Sequence, residues 1–248
     1  MKTIYILWLR QLKRYGRSKS RIVGALGQPI LFLFALGYGL NPVFEKAGQG
    51  SYIQFLIPGI ICMSVLFTSV FTGIELIWDR QFGFLKETLV APVSRTEIML
   101  GRTLGGATVA TGQGIVVFFI SLLAGFHPAS WPQVPLAFLV MLLVATLFTA
   151  LGTAIASLLE DMQGFQLIMN FLVMPLFFLS GALFPLQTGK NVLSTVACFD
   201  PLSYGVDAIR TILTHSTHYG LATDLGVLTV ITALLVAVGS YLFSKIQL

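Results

Sequence analysis

Long apolar runs dominate the chain, and short polar stretches punctuate them. A helix needs about 20 apolar residues to cross a bilayer. Six runs reach that length, roughly Ile22–Leu40, Phe55–Trp78, Thr103–Gly125, Val134–Leu158, Phe165–Phe184 and Leu221–Phe243. The second carries Glu75 and Trp78 at its end, where an aromatic ring suits the membrane–water boundary and Glu75 can snorkel or pair with Arg80. Pro29 and Pro175 fall inside runs one and five. Each predicts a bend, because proline removes a backbone donor and frees a carbonyl.

Two stretches follow other rhythms. Ahead of the first run, Ile4, Leu7, Trp8, Leu12 and Tyr15 recur at helical spacing, with Arg10, Lys13, Arg14 and Arg17 mostly on the opposite side. A basic amphipathic helix with Trp on its apolar face predicts an interfacial helix within residues 1–21, lying flat; the alternative is a charged tail that serves topology alone. Residues 181–220 are apolar in two pieces too short to span, around Val192–Cys198 and Tyr204–Leu213. Such pieces predict a re-entrant helical pair, since a plain loop would leave Leu, Val, Phe and Ile in water. Asp200-Pro201 breaks the chain between them, and Asp200 or Ser203 caps the second piece.

Composition agrees with the pattern. Of 248 residues, 56% are hydrophobic and 10% charged, against about 25% charged in soluble domains. The net charge of +5 does not indicate nucleic acid, because the bases are segregated. With the N-terminus in the cytoplasm, twelve of the fifteen Lys and Arg fall inside, leaving Lys46, Lys190 and Arg210 outside. The positive-inside rule therefore predicts cytoplasmic N- and C-termini on a single membrane domain, 1–248. No cleavable signal pattern opens the chain.

Catalytic signatures are missing. The sequence has no P-loop, no H-E-x-x-H and no G-x-S-x-G. Cys62 and Cys198 form no metal or redox spacing, and His127, His215 and His218 read as surface histidines. The runs hold almost no ionisable residues, which argues against a pump built on buried carboxylates. Their polar content is mild, with Gln28, Gln113, Gln166 and Asn170. The loop of residues 79–102 stands out. Phe84, Leu85, Thr88 and Leu89 share a helical face with Lys86 and Glu87 beside it, and Pro92 ends the helix. So short a helix is unstable alone in water; it predicts docking into a partner's groove, with a loop resting on the membrane as the alternative.

"WDRQFGFLKETLVAPVSRTEIMLGR", "PLFFLSGALFPL" and "FDPLSYGVDAIR" together resemble type 2 ABC exporter permeases, the family of daunorubicin-resistance and nodulation-factor export permeases. The resemblance runs in order along essentially the whole chain. It implies an all-α membrane protein with six transmembrane helices, an N-terminal amphipathic interfacial helix, a cytoplasmic coupling helix over 84–91 and an outer re-entrant pair. It also implies that ATPase coupling falls to Phe84, Leu85, Lys86, Glu87, Thr88, Leu89, Pro92 and Arg95, and that Trp8, Arg10, Lys13 and Arg14 mark the interfacial helix. Phe184, Pro185, Asp200, Pro201, Tyr204, Asp207 and Arg210 would form an outer gate, and Gln28, Gln166, Asn170 and Met174 a substrate pathway. The chain would bind no cofactor itself. ATP and magnesium would belong to two copies of an ATP-binding cassette subunit, and a second permease copy or sister permease would complete the pair in a prokaryotic plasma membrane. The expected activity is export of an amphipathic drug, lipid or lipid-linked molecule; the alternative is sensing, signalling or export of a lipid-linked glycan.

Overall fold

A computed structural model describes residues 2–46, 50–90, 92–185 and 192–246. Ala91, Lys190 and the other residues of 186–191 lie outside the described residues. All regular structure among the described residues is helical. Helix α1 (Lys2–Arg17) leads into α2 (Lys19–Phe32), which continues through a π-helical stretch, Leu33–Tyr38, into α3 (Gly39–Lys46). Then come α4 (Tyr52–Phe71), α5 (Ile74–Gln81), α6 (Phe84–Val90) and α7 (Arg95–Leu123). The chain closes with α8 (Val134–Leu158), α9 (Met162–Leu179), α10 (Val192–Ala197), α11 (Pro201–Thr214) and α12 (Leu221–Ser244).

Six stretches among these are long and apolar enough to cross a bilayer: Lys19–Lys46, Tyr52–Gln81, Arg95–Leu123, Trp131–Leu158, Met162–Leu179 and Leu221–Ser244. They match the six expected runs, with shifted ends. The third begins at Arg95 and not Thr103, because the Ser94 hydroxyl accepts the Glu97 N–H at 3.2 Å and starts the helix early. The fifth stops at Leu179, short of Phe184. Gly181 takes φ +74 there, and Ser180 Oγ accepts the Ala182 N–H, so the chain turns back. Tyr52 then holds the returning strand of chain by donating to the Leu183 carbonyl at 2.9 Å.

The core lies around α4, flanked by α7, α8 and α11. Leu56, Ile57, Ile60 and Ile61 of α4 are fully buried. The α4–α5 step rests on α8 through glycines: a Cβ on Gly73 would lie 2.5 Å from the Gly152 carbonyl oxygen. α12 lies along α8, while α2 and α9 sit further out and touch through Phe32 and Phe177. Pro29 leaves one carbonyl of α2 without its helical partner, and the wide-turned Leu33–Tyr38 stretch follows one turn later. α11 is no surface loop. Leu202, Val206, Ile209 and Leu213 are buried, and Asp200, not Ser203, caps it by accepting the Leu202 N–H at 2.8 Å.

The apolar stripe of α1 meets protein, contrary to the expectation that it faces lipid. Leu7 is buried, Trp8 Nε1 donates to Thr108 at 3.0 Å, and the Tyr15 hydroxyl donates to Gln113 at 2.9 Å. A Cβ on Gly101 would lie 2.9 Å from Leu7 Cβ, and one on Gly105 2.7 Å from Gln11 Cβ. Contacts advance together along both helices, so α1 runs beside α7 in the same direction and does not lie flat across its end. Tyr5 and Ile6 remain exposed. Gly105→Val should therefore cost about 1–3 kcal/mol of stability by overpacking, read as a lower thermal midpoint in detergent. Gly112→Val, with open space at its Cβ, should leave the midpoint unchanged.

Candidate functional site: the arginine junction and helix α6

The α5 sequence IELIWDRQ places Glu75 and Asp79 one helical turn apart on a single face. Both side chains are buried, 6% and 4% exposed. Burying a carboxylate is costly unless cations and donors meet it, and here arginines do. Asp79 accepts from Arg10 and Arg14 of α1, each at 3.2 Å, and from Arg102 of α7 at 2.5 Å. Glu75 pairs with Arg21 at the start of α2 and lies 3.8 Å from Arg14. Arg14 also sits over the Trp78 ring, 5.7 Å from its centroid. One charge junction thus ties α1, α2, α5 and α7 together. The expected Glu75–Arg80 pair does not form. Five residues apart, the two point to different sides of the helix, and Arg80 bonds Glu160 at 2.8 Å instead.

Helix α6 leaves this junction through Gly83, whose φ of +80 lets the chain turn. Leu85 is buried and Leu89 half-buried against the core. Phe82, Phe84 and Val90 are exposed, as are Lys86 and Glu87. Thr88 donates to the Phe84 carbonyl within the helix at 3.0 Å, and Pro92 is exposed beyond its end. The face expected to dock is therefore split, with Leu85 and Leu89 serving this chain's own core and Phe84 facing out. Arg95 likewise turns inward, donating to the carbonyls of Ser244 and Ile246 at 2.9 and 2.6 Å and pinning α7 to the end of α12. A cleft of about 300 Å³ between α1, α5 and α6 is lined by Arg10, Arg14, Trp78, Asp79, Phe82 and Phe84. Lys13 of α1 is exposed beside it.

Of the expected pathway residues, Gln28 lines a cavity of about 270 Å³ between α2 and α4. Its walls include Gly24, Ala25, Met63, Ser64 and Phe67, with Tyr15 and Arg21 also lining it. Gln166, Asn170 and Met174 do not share that cavity and lie on the exposed side of α9. At the opposite end of the molecule α11 gathers most of the expected gate residues; Pro185, though exposed, lines a cleft with Asp207 and Arg210, while Phe184 is exposed outside it. Tyr204 donates to the Cys198 carbonyl at 2.9 Å, and Arg210 donates to the Gly181 carbonyl at 3.0 Å from above the Phe55 ring. Burial pushes the Asp200 carboxyl up to about 7, against the opposing hydrogen bonds of Leu202 N–H and Ser203.

The sequence reading passed over three features of this geometry: Asp79 as the hub, Glu160, and the Ser94-x-x-Glu97 cap. The first had a signal. An acid follows the second apolar run, and the amphipathic helix that opens the chain carries Arg10 and Arg14 four apart, on one face. The cap also had one, the S-x-x-E pattern itself.

Residues 2–214 match the family described as ABC-2 type transporter. The chain belongs to that family. Among curated relatives, "Nodulation protein J" of Rhizobium leguminosarum bv. trifolii is 28% identical over 84% of this chain and 78% of its own length. "Nodulation protein J" of Azorhizobium caulinodans is 25% identical over 99% and 97%. "Putative transport permease ycf38" of Porphyra purpurea is 30% identical over 87% and 75%. This ABC-2 type protein is thus a multi-pass membrane transport permease, and the junction and α6 fall within the matched region.

Two measurements check the site. Asp79→Ala leaves Arg102, 5% exposed, without its carboxylate and should destabilise the protein by about 3–5 kcal/mol, visible as a large drop in thermal midpoint. Asp200 should make stability depend on pH. Its folded value lies above the unfolded carboxylate value near about 4, so the folded state binds more protons between the two. Stability should fall as pH rises from about 4 to about 7 and then level off. Asp200→Asn keeps a capping oxygen and should flatten that dependence in a pH series of melting curves.

Proposed function

We propose that this chain is the membrane half of an ATP-driven exporter, gripped through α6 by separate ATP-binding subunits. The observation that carries this reading is an exposed ridge of Phe84, Lys86, Glu87 and Val90 on a helix anchored from behind by buried Leu85. A seven-residue helix has no stability of its own, yet this one is fixed to a junction joining four helices. Force applied to the ridge reaches the first, second and third spans through Asp79 and Glu75. The sequence lacks a P-loop, so ATP and magnesium belong to the partner, taken as two copies. The junction end is the cytoplasmic side of a prokaryotic plasma membrane, where the bases gather. A second permease copy, identical or a sister, faces this one, and the exposed α9 residues Gln166, Asn170 and Met174 border the shared route. The cavity at Gln28 is mostly apolar, which suits an amphipathic drug, a lipid or a lipid-linked molecule.

The purified chain should hydrolyse no ATP, and hydrolysis by it alone would sink the two-component reading. In the assembled complex, Phe84→Asp should reduce cargo-stimulated hydrolysis at least about tenfold, the loss of roughly 1.4 kcal/mol of coupling, with an unchanged melting midpoint. Leu85→Asp should instead lower the midpoint, because it buries a charge in this chain's core.

A further inference from the structure

Beside its contact with α7, helix α1 carries charge that the junction does not consume. Arg10, Lys13, Arg14 and Arg17 recur three and four residues apart and, with Ile6 and Leu9, line a groove of about 570 Å³. Asp79 takes one N–H from Arg10 and one from Arg14, whereas a guanidinium has five to give. Lys13 and Arg17 are exposed and meet no carboxylate among the described residues. Counted with Arg21 and Arg102, six bases stand here against Glu75 and Asp79, a net of four positive charges.

The depth of the groove narrows what neutralises it. Arg17 lies two residues before the first spanning stretch begins at Lys19, and Trp78 lies near the end of the second, which closes at Gln81. Arg14 sits over the Trp78 ring, which is itself 42% exposed. An exposed tryptophan at the end of a span belongs at the level of the lipid headgroups. Exposed Tyr5 and Ile6 precede the bases along the chain, and exposed Val23 follows them. The charges are therefore bordered by side chains that suit acyl chains better than water. An acidic protein surface would answer the charges and leave that border bare. A lipid phosphodiester answers both, with acceptor oxygens for the bases and chains for the border.

We propose that the groove on α1 is a binding site for an anionic phospholipid, whose phosphate lies among Lys13, Arg17 and the unspent N–H groups of Arg10 and Arg14. The lipid supplies the negative charge that Glu75 and Asp79 leave wanting, and by binding the folded chain it stabilises it. The site does not depend on the exporter reading, because it needs neither cargo nor ATP.

Native mass spectrometry of the full-length protein in a neutral maltoside detergent tests it, with phosphatidylglycerol and phosphatidylcholine of identical chains as probes. The first phosphatidylglycerol should bind more tightly than phosphatidylcholine and should raise the thermal midpoint where phosphatidylcholine does not. The double variant Lys13→Gln, Arg17→Gln should weaken that binding about 25-fold, about fivefold for each base. Its lipid-free midpoint should stay that of wild type, because neither base is paired with a carboxylate among the described residues. Lys46→Gln, at the other end of the first spanning stretch, should change nothing. If the double variant does not fold, either single variant should show its fivefold loss. Glycerol phosphate, which has the headgroup's charge and no chains, should not displace the lipid at equal concentration. Four results overturn the proposal: equal binding of the two lipids, undiminished affinity in the folded variants, displacement by glycerol phosphate, or a larger midpoint rise with polyglutamate than with phosphatidylglycerol.

Discussion

One buried carboxylate organises the terminal end of this protein. Asp79 holds Arg10, Arg14 and Arg102, while Glu75 one turn earlier takes Arg21. Four guanidiniums on two acids leave the junction positive. That excess explains a division of labour: Arg102 is enclosed, whereas Arg10 and Arg14 keep 39% and 31% of their side chains in contact with solvent. A buried ion pair adds little to stability compared with an apolar isostere; its weight lies in what happens when one partner is lost. Its positional value is larger. Without Asp79, α1 keeps only the longer Arg14–Glu75 approach, at 3.8 Å, as an ion pair to α5.

Under the proposed reading, the junction is a bracket and α6 a handle. Buried Leu85 and half-buried Leu89 seat the handle, and the exposed ridge of Phe84, Lys86, Glu87 and Val90 is what remains for another molecule. Arg95 closes the bracket from the other side by holding the last residues of α12.

Much of this was legible in the sequence, for a physical reason. Spanning length is a local property, so all six spans show in the hydropathy alone. Helix ends depend on caps and turns, and so Arg95 and Leu179 replaced Thr103 and Phe184. Partners are harder still. An apolar stripe announces that it will be covered but not by what, so the α1 stripe pointed to lipid when α7 covers it. The same ambiguity exchanged Phe84 for Leu85 on α6. Asp224 lay hidden at the start of a long apolar run, where only its complete burial makes it conspicuous.

The seat of α1 has a consequence for how the chain is made. Trp8 bonds a residue 100 positions later, and Tyr15 one 98 positions later. At roughly 5–20 residues per second of synthesis, the first helix waits on the order of 5–20 s before the groove on α7 exists. For the first part of that interval Arg10 and Arg14 also wait for Asp79, 69 and 65 positions further on. Asp79 is then met from two directions: Arg10 and Arg14 fasten the leading helix to the end of the second span, and Arg102 brings in the third.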